Sequence, residues 1–266
     1  MDIESVKMVY FSPTGTTKAV VEGIARGMGS ATREYLDITT PEARKEPLVT
    51  RENELLIIGV PVYMGRVPEL VQGWLKAIRA QNTPTVCVVV YGNRTYEDAL
   101  LELRDIVVKC GGIPIAGGAW IGEHSFSLAE TPTAAGRPDT DDLRLTEEFG
   151  RKICEKLHSV SSGENLPEVQ VPGERPYRGD PTLWTVDFIS VDNRCTQCGV
   201  CATCCPTGAI SPEDSSAIDQ EKCITCCACI KKCPEHARTM KPGLVMEASK
   251  RLNTLYREPK VPEYYL

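Results

Sequence analysis

The sequence predicts an α/β protein: a doubly wound parallel sheet followed by a small, cysteine-rich α+β domain. Three observations lead there. Four apolar runs (Ser5–Phe11, Glu54–Val60, Thr85–Tyr91 and Ile113–Ile121) alternate with helical stretches. Strands that alternate with helices give a parallel sheet covered on both faces. Each run ends in a loop of polar, glycine or aromatic residues, which is where such sheets bind ligands. Finally, ten of the thirteen cysteines lie between Cys195 and Cys233, a concentration that marks a cofactor domain and not a general set of staples.

The first run, with Val6, Met8, Val9, Tyr10 and Phe11 as its apolar members, leads into Ser12-Pro-Thr-Gly-Thr-Thr17 and a helix through Ala19, Val20, Ile24 and Met28. A strand, a turn rich in glycine and hydroxyls and then a helix make an anion cradle, because free amides and the helix dipole point at the same spot. Ser12, Thr14, Thr16 and Thr17 add hydroxyls, and Gly15 lets the backbone come close. The lysine of a nucleotide P-loop is missing, and so is a G-x-G-x-x-G run. A plain Ser/Thr-capped helix start is the competing reading.

The second strand ends in Pro61-Val-Tyr-Met-Gly-Arg66, ahead of a helix from about Pro68 to Arg79. The third ends in Gly92-Asn-Arg-Thr-Tyr96, ahead of a helix from Glu97 to Lys109. The fourth ends in Gly122-Glu-His-Ser-Phe126, and Glu123–Asp139 follows as a long loop without helical or strand period. Loops of that length are usually functional or disordered; His124 and Arg137 are its candidates for lining a site. Asp139-Thr-Asp-Asp142 reads as the capped start of a helix that closes the first domain near Leu157. This gives a domain over 1–157, a linker over 158–185 stiffened by Pro167, Pro172, Pro176 and Pro181, a cysteine domain over 186–242 and a tail over 243–266.

The cysteines form two runs at a fixed offset. Cys195-x2-Cys198-x2-Cys201-x3-Cys205-Pro206 is repeated as Cys223-x2-Cys226-x2-Cys229-x3-Cys233-Pro234. The spacing C-x2-C-x2-C-x3-C-P is that of bacterial two-cluster iron–sulfur proteins. Zinc also takes C-x2-C pairs, but it usually closes with two separated pairs and has no habit of a third tandem cysteine before C-P. A disulfide framework would suit a secreted chain better. The stretch resembles the two-cluster bacterial ferredoxins. That resemblance implies two 4Fe–4S cubes with crossed ligation, one held by Cys195, Cys198, Cys201 and Cys233, the other by Cys223, Cys226, Cys229 and Cys205. Cys204 and Cys227 fall outside the spacing and read as non-ligating. His236 replaces the Gly208 of the other run. Cys87, Cys110 and Cys154 read as buried, inert thiols.

The first 157 residues resemble flavodoxin on the strength of Ser12–Thr17, the Pro61–Gly65 loop and Tyr91-Gly-Asn-Arg94. The resemblance implies strand order 2-1-3-4-5 and a bound flavin mononucleotide (FMN). Ser12, Thr14, Gly15, Thr16 and Thr17 would hold its phosphate. Pro61, Val62, Tyr63, Met64 and Gly65 would flank the ring on one side, with Tyr91, Gly92, Asn93 and Arg94 on the other. The whole chain is similar to flavodoxin–ferredoxin fusions of anaerobes, which implies an electron-transfer iron–sulfur flavoprotein carrying low-potential electrons between the cubes and FMN. An FMN-dependent reductase of a small substrate and a redox-sensing interaction module are the alternatives from other classes. No catalytic side chain is assigned, since the chemistry belongs to the cofactors. The formal charge of −6 and the lack of a basic block argue against nucleic acid. No run of eighteen apolar residues is present. The expected setting is cytoplasmic, with redox partner proteins or a small electron acceptor, and with a homodimer possible.

Overall fold

The computed structural model describes residues 3–29, 32–160, 166–180 and 184–266. In chain order the first part consists of β1 (Ser5–Tyr10), α1 (Thr16–Gly27), β2 (Thr32–Asp37), β3 (Val49–Thr50), β4 (Glu54–Pro61), α2 (Glu69–Lys76), β5 (Arg79–Ala80), β6 (Pro84–Tyr91), α3 (Ala99–Lys109), β7 (Ile113–Ile121) and α4 (Thr140–Ser159). Five of these strands pair in parallel in the order β2-β1-β4-β6-β7. Numbered among themselves they run 2-1-3-4-5, the flavodoxin-like order. β3 and β5 form a separate two-residue ladder.

Period-two alternation divides the strand residues between two cores. Met8 and Tyr10 of β1, Leu55 and Ile57 of β4, and Val86, Val88 and Val90 of β6 pack with Val20, Ile24, Phe149 and Ile153 of α1 and α4. Their neighbours Val9, Leu56, Ile58, Cys87 and Val89 pack on the other face with Val71, Leu75, Leu100 and Leu103 of α2 and α3. Both faces are therefore apolar, and β6 reads as an unbroken apolar run because every residue in it is buried. α4 starts on the predicted cap: Asp139 accepts from the Asp142 amide, and Asp142 accepts in turn from the Asp139 amide.

β2 is the strand absent from the apolar runs. Its sequence Thr-Arg-Glu-Tyr-Leu-Asp contains no buried residue, because it lies at the sheet edge beside β1 with one side to solvent.

Residues 166–180 form a strap fastened to the first domain. The Val169 amide donates to the Pro114 carbonyl (2.7 Å), and Arg104 donates to the Val169 carbonyl (3.1 Å). Arg175 and Tyr177 bind the Asp105 carboxylate, and Arg178 binds Asp98 through two side-chain nitrogens and its own amide. Pro167, Pro172 and Pro176 fall in this strap; Pro181 lies outside the described residues.

The cysteine-rich part is small: β8 (Ile189–Val191), α5 (Val200–Thr203), α6 (Ala228–Lys231) and β9 (Arg238–Met240), with β8 and β9 antiparallel. α7 (Leu244–Leu255) follows, and the chain then returns to the sheet. Its last strand, β10 (Glu263–Tyr265), pairs antiparallel with β7 through Ala119, Gly118 and Gly117. The second edge of the sheet is thereby covered. Tyr264 stacks on Trp120 at 6.3 Å, so the tail is a sixth strand as well as an extended end.

Candidate functional site

The loops after β1, β4, β6 and β7 emerge at the C-terminal ends of parallel strands and border a cleft. The first loop is the turn before α1. Gly15 caps the helix in the left-handed region at φ 95°, and a side chain there would be strained even though it would meet nothing within 4 Å. Ser12 fixes the turn: its amide donates to Thr39 Oγ1 (2.9 Å), and its Oγ accepts from the Lys18 amide (3.0 Å). The first amides of a helix have no intrahelical acceptor. Beside them the Thr17 hydroxyl is buried with no partner among the described residues, next to Thr14 and Thr16 on the cleft wall. A buried orphan hydroxyl and unpaired amides at a helix N-terminus fit an anion.

Pro61, Val62, Tyr63 and Met64 line the cleft from the second loop. Tyr63 and Arg66 exchange two backbone hydrogen bonds of 3.0 Å across Met64 (φ 52°) and Gly65 (φ 82°), a type I′ turn. Gly65 turns away from the cleft, and a Cβ on it would collide with the Glu97 carboxylate. Tyr91 and Gly92 line the third side. Asn93 and Arg94 do not. The buried Asn93 amide donates to the Tyr256 and Glu258 carbonyls and accepts from the Lys260 amide, clasping the returning chain. Arg94 pairs with Glu97 at 2.6 Å.

Five lining residues on the β7 side, Gly122–Phe126, and four from the C-terminal half, Trp184, Ile224, Thr225 and Cys226, complete the wall. Of these only His124 was a sequence candidate for lining the cleft, and Cys226 was expected as a cluster ligand. Glu123–Asp139 is the joint between the domains. Glu123 pairs with Lys231 at 2.6 Å, Ser249 Oγ donates to the Phe126 carbonyl, and Phe126 and Leu128 pack into the cysteine-domain core. His124 presents its remaining surface to the cleft, and its Nδ1 accepts from the Phe126 amide at 3.0 Å. Burial, with Lys231 and Arg94 nearby, pushes its pKa down to about 4. The neutral ring therefore carries its proton on Nε2. Arg137 instead pairs with Asp142 in α4.

The cysteines separate into two further cavities. Cys205, Cys223, Cys226, Cys227 and Cys229 line one. Cys195, Cys198, Cys201 and Cys233 line another, which also contains Arg238. The pseudo-repeat extends to the backbone. Gln197, Gly199 and Gly208 have positive φ, and so do their counterparts Thr225, Cys227 and His236. Cys227 and His236 thus stand at left-handed positions where the first run uses glycine. The Cys204 thiol donates to the Cys201 carbonyl at 3.5 Å and lines neither cavity. Among the described residues no three His, Cys, Asp or Glu side chains converge on a single-ion site.

Residues 188–234 match the 4Fe-4S dicluster domain family. The chain is similar, at 29% identity over 91 residues, to the thiosulfate reductase electron transfer subunit PhsB of Salmonella typhi, covering 34% of this chain and 46% of that protein. It is also similar, at 41% over 51 residues, to the polyferredoxin-like subunit of an aliphatic sulfonate oxidoreductase of Pyrococcus furiosus, covering 17% of this chain and 30% of that one. The chain thus spans less than half the length of these curated relatives. Among solved structures, an archaeal flavodoxin aligns at 17% identity and TM-score 0.40 over 58% of this chain and 99% of its own. The flavodoxin-like fold assignment itself stands on the strand order. The C-terminal domain is of the two-cube 4Fe–4S type.

Proposed function

We propose that this chain is an electron-transfer iron–sulfur flavoprotein, with FMN in the large cleft and a 4Fe–4S cube in each cysteine cavity. One observation carries the reading: Cys226 lines both the large cleft and the cavity of Cys205, Cys223 and Cys229. A cofactor in the cleft and a cube on those thiols would share that residue as a common wall. When bound, flavin exchanges one or two electrons and each cube exchanges one, so together they convert between paired and single electrons.

The residues divide the work. Thr14, Thr16, Thr17 and the first amides of α1 bind the phosphate, and Gly15 gives the backbone its approach. Pro61–Met64, Tyr91 and Gly92 hold the ring system, facing Trp184, Thr225 and Cys226. Tyr63 sits where the two cofactors meet: burial raises its hydroxyl well above the ordinary range, and Cys226 and Cys227 are near enough to add to the shift. Ligation is crossed, with Cys233 closing the first set and Cys205 the second. Cys198 is exposed, so the cube on Cys195, Cys198, Cys201 and Cys233 serves as the port to a redox partner protein. The working division of the chain is 1–157 for flavin, 158–185 as connector, 186–242 for the cubes and 243–266 as the tail that locks both together.

Anaerobic purification with iron, sulfide and flavin quantified against protein tests the proposal. It requires two cubes' worth of iron and sulfide and one flavin per chain. Iron without flavin would reduce the protein to a ferredoxin on an idle scaffold, and zinc in place of iron would refute the reading altogether.

A further inference from the structure

The second cysteine run continues as Pro234-Glu-His-Ala-Arg238 and the first as Pro206-Thr-Gly-Ala-Ile210. Arg238 therefore stands where the repeat places Ile210, and it is equally buried, at 3% exposure against 4%. An isoleucine there needs no partner. A guanidinium does, because a buried cation is strongly disfavoured unless anions or acceptors surround it. Arg238 Nη1 donates to the Ser215 carbonyl at 2.6 Å and to Cys201 Sγ at 3.4 Å. Its Nε and Nη2 are buried with no acceptor among the described residues. The side chain lines the cavity of Cys195, Cys198, Cys201 and Cys233. β9, which begins with Arg238, also packs against α6, which carries Cys229 of the other set. One fixed positive charge thus lies between the two thiol sets, with two nitrogens and their three N–H donors unspent among the described residues.

A cube closed by four thiolates is net anionic, and hydrogen bonds to its sulfurs are among the factors that set its reduction potential. We propose that Arg238 is a counter-cation shared by the two cubes, donating its free N–H groups to their sulfurs and holding both reduction potentials up and close together. The charge favours each reduced, more negative state. Lying between the cubes, it also screens the repulsion that an electron on one exerts on the other. The inference rests on the two-cube reading and assigns a tuning role to a residue outside the ligand pattern.

The test uses full-length protein purified without oxygen, with iron and sulfide per chain and redox titrations of both cubes followed by electron paramagnetic resonance. Arg238→Ile restores the residue of the repeat, Arg238→Gln keeps donors without charge, and Arg238→Lys keeps charge. Arg238→Ile should retain both cubes, with each reduction equilibrium shifted at least tenfold against reduction, which for one electron is about 59 mV, and with the two midpoints further apart. Arg238→Lys should stay nearest to the native protein. Loss of iron from the Ile and Gln variants but not from the Lys variant would support the same role. Native potentials in loaded Ile and Gln variants overturn the proposal. Loss of iron from all three overturns it too, since shape and not charge would then be what matters. Native protein lacking cubes overturns the underlying cluster reading, and its iron content reports that separately.

Discussion

At the residue scale, the cysteine assignments make the sharpest prediction, because adjacent thiols differ in role. Cys205 lies in the cavity of the second set and accepts from the Ala209 amide at 3.3 Å, whereas Cys204 is spent on a carbonyl. Cys205→Ala should lose about half the iron, and Cys204→Ala should keep all of it, with iron analysis as the readout. In the cradle, Thr17→Ala removes the orphan hydroxyl. A hydrogen bond to a charged oxygen contributes about 1.5–3 kcal/mol, so flavin affinity should fall roughly tenfold or more. Gly15→Val adds backbone strain to that loss, and flavin remaining after gel filtration measures both variants. His124 supplies a pH prediction. The unfolded imidazole binds its proton near pH 6.5 and the folded one only near pH 4. Folding is therefore penalised as pH falls between those values, by about 1.4 kcal/mol per pH unit for one proton. The His124 imidazole resonance, identified by its loss in His124→Gln, should remain that of the neutral ring from pH 7 to pH 5. The two-cube domain type was legible because thiol spacing is itself the chemistry. His124 was a candidate, but its surroundings, with Phe126 and Gly92 against it and the Lys231 charge from the second domain, are encoded by no local pattern. Asn93 and Arg94 carry the polar character of a cofactor loop, yet serve the returning chain and a local ion pair.

At the element scale, the four central strands announce themselves because both faces are buried and period and hydrophobicity agree. β2 does not, since an edge strand with no buried residue has no apolar signal to give. The proline-rich connector shows a subtler mismatch. Prolines indicate stiffness, but what fixes the strap is a row of charges against α3. The side chain of Asp98 has no exposed surface and receives four hydrogen bonds from Glu174 and Arg178. The Arg178 guanidinium, outweighing burial, holds the Asp98 carboxyl down at about 2. A depressed carboxylate stabilises the fold fully above its unfolded pKa near 3.9, and that contribution is lost as pH falls through about 2. Hydrogen exchange of residues 166–180 should rise across that window before the sheet responds. At neutral pH, Asp98→Ala should cost about 2 kcal/mol in denaturant unfolding and make the strap the first site of proteolysis. A strap as protected as β6 in the variant would show that other contacts carry it.

At the scale of the whole molecule, the domains meet as a docked pair, and under the proposed function this docking would set how electrons travel. Ile224, next to the second cysteine run, packs into the α2/α3 core of the first domain. Arg44 reaches from behind β2 to the Pro206 carbonyl at 2.6 Å, and Glu123 holds Lys231. Two carriers on one chain already have an effective concentration in the millimolar range when the tether is short; docking through a shared residue removes even that search. The last prediction is therefore kinetic. On rapid mixing of oxidised protein with a one-electron donor, cluster bleaching and flavin reduction should be linked by a step whose rate does not change with protein concentration. Cys226→Ser, which removes a thiol from the cavity beside the cleft, should slow that step to flavin more than Cys198→Ser, whose thiol lies in the far cavity. Glu123→Gln breaks the ion pair at the joint and leaves every cysteine in place, so it should slow the step without loss of iron. A rate that climbs with protein concentration would mean that electrons pass between molecules. Equal flavin reduction in native protein and in both cysteine variants would mean that flavin is filled from outside, with no wire through the clusters.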